Sequence, residues 1–111
     1  MPKNFSYDGY SDSLIVSNKQ ENEVVKDNFE VGDIIFSLTG KGKIVGIEIR
    51  EFSSFLETCN IDLNILRNIE NIQLTIIPKR DTIFLILKIE SLENEVILSK
   101  NIPLVVPLIN Q

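Results

Sequence analysis

With 111 residues, 43% of them hydrophobic, the chain has room for one domain with one core and is too apolar to remain disordered. Eleven Lys and Arg face 16 Asp and Glu, a formal charge of -5, which repels phosphate backbones at long range and disfavours nucleic acid as a partner. There is no histidine, so the commonest near-neutral general base and zinc ligand is missing, and the single cysteine, Cys59, excludes an intrachain disulfide. The N-terminus lacks the apolar segment of a signal peptide, and Pro78-Lys79-Arg80-Asp81 interrupts the most apolar region, Leu74 to Ile89. A cytoplasmic chain with no membrane partner is expected.

In chain order, Asn4 to Tyr7 reads as a first strand and Asp8-Gly9-Tyr10-Ser11 as a turn, leading into a second strand, Ser13 to Ser17. A polar loop follows, and then weak alternation from Glu23 to Glu30 predicts a third strand. Asp33 to Leu38 and Lys43 to Arg50 flank a glycine-containing turn and predict a hairpin, with Val45, Ile47 and Ile49 on one face. After Glu51 the apolar period lengthens. Leu56, Cys59, Ile61, Ile65, Leu66 and Ile69 predict one or two short helices between Ser53 and Asn68. Ser53 or Ser54 is the expected N-cap, Ser54 and Glu57 having the spacing of a capping box, and Asn60 or Asp62 suits a second cap.

Two further strands, Asn71 to Lys79 and Thr82 to Glu90, are joined by Arg80-Asp81, and Glu95 to Ser99 reads as another. Ile83-Phe84-Leu85-Ile86-Leu87 does not alternate, which predicts a strand buried on both faces. Ile102 to Ile109 holds Pro103 and Pro107 and suits an edge or an extended arm. The expected fold is therefore α+β. A meandering antiparallel sheet of hairpins occupies residues 1–52 and 70–111 of a single domain, with a short helical segment at 53–69.

Tyr7, Asp8, Asp12 and Leu14, followed by Val45-Gly46-Ile47-Glu48-Ile49, form an ordered set of residues. This set resembles a small prokaryotic family known as domain of unknown function family twenty-two eighty-three. Its members open with Tyr-Asp, three residues and a second Asp, and end in Val-Gly-Ile-Glu-Ile. The second strand of family members often carries an aromatic residue where this chain has Ile15, and the chain beyond Ser54 lies outside the resemblance. The family has no assigned activity, so the resemblance implies a fold and no mechanism.

Polar residues offer few groupings with chemistry. Asp8 and Asp12 share a turn with Ser11 and Ser13, so their oxygens are candidates for a divalent cation, set against an ordinary role in turn hydrogen bonding. Glu48 is a candidate base if its face is covered, and otherwise a solvated strand residue. Cys59 lacks a histidine partner and reads as a small buried apolar residue. Lys41 and Lys43 with the tyrosines are the weak case for single-stranded nucleic acid, although Gly40-Lys41-Gly42-Lys43 lacks the helix and Lys-Ser/Thr pair of a phosphate loop. The expected function is a non-enzymatic interaction module without a cofactor, most simply a homodimer, with a basic protein as a further possible partner. Its contact residues are expected among Phe84, Ile86, Leu104, Val106 and Leu108. A carboxylate-based metal site or enzyme built on Asp8, Asp12 and Glu48 is the alternative.

Overall fold

A computed structural model describes residues 3–108 and has the α+β architecture. The first sheet contains β1 (Phe5–Asp8), β2 (Ser13–Ser17), β3 (Val25–Val31), β4 (Ile34–Thr39) and β5 (Ile44–Ile49), in the spatial order β1-β2-β5-β4-β3. A helix α1 (Phe52–Thr58) and a 3-10 helix (Leu63–Arg67) lead to the second sheet. This sheet is the meander β6 (Ile69–Pro78), β7 (Thr82–Glu93) and β8 (Val96–Pro107). All pairs are antiparallel.

Alternation sorts the first sheet into inner and outer rows. Phe5, Val16, Ile47, Phe36 and Phe29 are successive cross-strand partners on the inner face, as are Tyr7, Leu14, Ile49, Ile34 and Val31. Between them, on the outer face, run Ser6, Ile15, Glu48, Ile35 and Glu30. The turn into β5 depends on Gly42, which has φ 82 and donates its N–H to the Thr39 carbonyl at 2.9 Å. Gly46 has a different reason: a Cβ there would sit 3.0 Å from the Val16 carbonyl oxygen, so the β2–β5 approach leaves no room for a side chain.

β6 runs along one end of the first sheet, across its strands. Asn4, just before β1, donates its side-chain amide to the Ile72 carbonyl at 3.2 Å, and Asn18, just after β2, donates to the Leu74 carbonyl at 2.8 Å. Ile76 then lines the same surface pocket as Ile44, the first residue of β5. At the opposite end of the first sheet Leu104 of β8 lines the same surface pocket as Ile34 and Ile49. The two sheets thus cross steeply, as in orthogonal sandwiches. Their shared core contains Leu14, Phe36 and Ile47 from one sheet and Ile72, Leu85 and Leu87 from the other, closed by Phe52, Leu56 and Ile65.

Several local expectations change. The predicted strand at Glu95 to Ser99 and the proline-containing arm are one continuous edge strand, β8, packed in cis against β7. The expectation for Ile109 lies outside the described residues. Leu108 donates its N–H to the Asp81 carbonyl at 2.7 Å, which places even-numbered backbone groups of β8 toward β7. Pro103 and Pro107 therefore turn their nitrogens outward, where no ladder bond is lost. Ile83, Leu85 and Leu87 are buried, but Phe84 and Ile86 on the other face are exposed, so β7 is buried on one face only. Neither Ser53 nor Ser54 caps α1, since both lie within it. The cap position is Glu51 at φ 53, and Asp12 caps the helix from 41 residues away. Asp62 does cap the 3-10 helix, accepting from the Asn64 N–H at 2.9 Å. Cys59 is exposed at the end of α1, contrary to the buried role expected of it.

Candidate functional site

Among the described residues, exposed apolar side chains concentrate on the second sheet. Cross-strand pairing aligns Ile77, Phe84 and Val105 in one outer row, and Thr75, Ile86 and Pro103 in the next. Phe84 is 39% and Val105 61% exposed. The outer row beyond them turns polar, with Gln73, Lys88 and Asn101. The first half of β8 differs again, since every residue from Val96 to Asn101 is exposed on whichever face it occupies. Val96 at 56%, Ile97 at 51% and Leu98 at 42% add a second apolar area to the same sheet.

The five residues expected to form a contact surface divide between two faces. Phe84 and Ile86 belong to the outer face, whereas Val106 is buried and Leu104 and Leu108 pack against the core. Ile77 and Val105 take their places in the outer row. Alternation along a continuous β8 would have identified Val105, because Val106 must then face the other way. The interruption suggested by the prolines hid that phase.

The carboxylates of the first turn serve structure. Asp8 accepts from the Tyr10 N–H at 2.9 Å and the Ser11 hydroxyl at 3.0 Å, and these bonds, the backbone one first, hold its pKa below the usual carboxylate value. Asp12 accepts the Tyr7 hydroxyl at 2.7 Å, the Ser53 N–H at 3.0 Å and the Ser53 hydroxyl at 2.6 Å. Partial burial pushes the Asp12 pKa up, but donation from Ser53 and Tyr7 outweighs it and holds the group low. The two acids thus serve separate donor sets, and Glu48 sits in the middle of the outer face of the first sheet, away from both. No group of three or more acidic or cysteine residues placed to hold a metal occurs among the described residues.

Burial, reinforced by the hydrogen bond to Asp12, raises the Tyr7 pKa from 10.0 to about 12. An ultraviolet titration of a Tyr10→Phe variant should therefore show Tyr7 ionising near that value, and Asp12→Asn should bring it down. The raised folded value means that this contribution to stability is complete below pH 10.0 and is lost as the pH rises toward about 12.

Lys19, Lys26, Lys41 and Lys43 gather at the end of the first sheet opposite the Asp8–Asp12 turn. Lys43 is engaged with Glu23 at 2.8 Å, and Tyr7 lies toward the opposite end of the sheet. No helix among the described residues is long and apolar enough to cross a membrane. Compared with family models, curated proteins and solved structures, the chain matches none.

Proposed function

We propose that the chain is a non-enzymatic interaction module that self-associates through its three-stranded second sheet. The observation that carries this reading is the concentration of exposed apolar residues on β6, β7 and β8: Ile77, Phe84, Ile86 and Val105 lie on the face away from the core, and Val96, Ile97 and Leu98 lie along the free edge of β8. A contiguous apolar surface of this kind marks a contact site more often than scattered single residues do. The polar residues support the same reading from the other side: Asp8 and Asp12 are engaged in turn and capping bonds.

Removing the C-terminal residues would delete Ile102 and Val106 from the core, so point changes on exposed positions are the cleaner probe. Sedimentation velocity across the micromolar to hundred-micromolar range should show a reversible, concentration-dependent dimer. A single monomeric species throughout would reject the reading.

A further inference from the structure

We infer that the second copy is bound by strand addition along the Val96–Asn101 half of β8, antiparallel to itself, making one continuous six-stranded sheet. This rests on the self-association proposed above and names its mode.

The sheet edges differ in their freedom to pair. On β6 the outward-facing carbonyls of Ile72 and Leu74 are already held by Asn4 and Asn18. On β3 the edge is lined by Lys26, Asp27 and Glu30, charges that discourage pairing. On β8 the odd-numbered residues face outward, so Pro103 and Pro107 remove two of the donors in its second half. The first half keeps the N–H groups of Ile97, Ser99 and Asn101 and has no proline.

That half is also uncovered on its inner side. Val96 and Leu98 share the face of buried Ile102 and Val106, yet both are exposed, because β8 here runs past the core. A copy of the same segment supplies what they lack. Pairing centred on Leu98 sets Leu98 against Leu98 of the second copy and Val96 against its Lys100, whose aliphatic stem covers it. Charge selects this register over its neighbour centred on Ser99. The two Lys100 residues then stand four residues apart along the strands, about 14 Å, beyond the screening length of about 8 Å in physiological salt. Centring on Ser99 halves the distance along the strands. The paired length, Val96 to Lys100 in each copy, is about 17 Å, an interface at the low end of the size range, so the dimer is weak and reversible.

Variants of the full chain test this. Ser99→Pro copies the outward proline already present at position 103 and should give a monomer with unchanged circular dichroism. Phe84→Glu, on the outer face, should still dimerise. Leu98→Cys in a Cys59→Ser background should form an intermolecular disulfide on mild oxidation, since residues facing across this register lie within disulfide reach, and Ile97→Cys in the same background should not. Dimerisation of Ser99→Pro at wild-type strength, or failure of Leu98→Cys to cross-link, overturns the inference. If Phe84→Glu alone becomes monomeric, self-association stands and its edge mode falls. A wild-type chain that never dimerises removes both. Should Ser99→Pro not fold, the cysteine pair decides.

Discussion

Replacing Phe52 with Ala should destabilise the protein by about 4 kcal/mol, the middle of the range for truncating a buried aromatic ring. The ring is fully buried at the start of α1 and contacts two aromatic neighbours, with centroids 6.0 Å from Tyr7 and 5.8 Å from Phe55. It enters the core directly after Glu51, whose left-handed backbone turns the chain out of β5 and into the helix. The neighbours that would have to fill the cavity are themselves fixed: Tyr7 by its bond to Asp12, and Leu56 by full burial one helical turn away. Collapse is therefore limited, and the cavity cost adds to the lost transfer free energy. Against a total of about 5–15 kcal/mol for a domain of this kind, urea unfolding should show a large fall in midpoint. Phe55→Ala, at a half-buried position, should cost clearly less. Equal losses at the two positions would contradict the packing described for α1.

The second large effect concerns Asp12. Its carbonyl accepts the Phe52 N–H at 2.9 Å while its carboxylate accepts the Ser53 N–H and hydroxyl, so one residue holds both first donors of α1. Asp12→Ala should cost about 2 kcal/mol, from the lost cap and from a side chain forced to φ 55. Asn tolerates that backbone and keeps one acceptor oxygen, so Asp12→Asn should cost about half as much. The pH dependence separates charge from shape. The folded pKa of Asp12 lies below 3.8, so its contribution is complete above that value and is lost as the pH falls through the folded value. Acid unfolding of Asp12→Asn should have a shallower slope than wild type in that window. An unchanged slope would mean that the carboxylate does not carry the cap.

Much of the first sheet could be read from the sequence because its signals are local. Alternation in Ser13–Ser17 and in Ile44–Ile49, with glycine between β4 and β5, defines strands whose inner rows follow from periodicity alone. The Asp12 cap was not legible, since a side chain reaching a helix 41 positions later leaves no mark on the helix's own residues, whereas Ser54 and Glu57 have the right spacing and make no cap. The outer contact face was only half legible for a related reason. Pro103 and Pro107 look like breaks until the direction of each backbone group in β8 is known. Cys59 fell on an apolar period that held for Leu56 and Ile65, but α1 ends after Thr58 and the chain turns there.

The order of the strands has a consequence for synthesis. All five strands of the first sheet precede β6, so each emerges from the ribosome before any residue of the sheet that covers them. At about 5–20 residues per second, translating β6 through β8 takes roughly 2–8 s. During that interval the row containing Val16, Ile47 and Phe36 has only the helical segment to shield it from water. The nascent chain is thus most vulnerable to aggregation, and most in need of a holding chaperone, before its second half has been made.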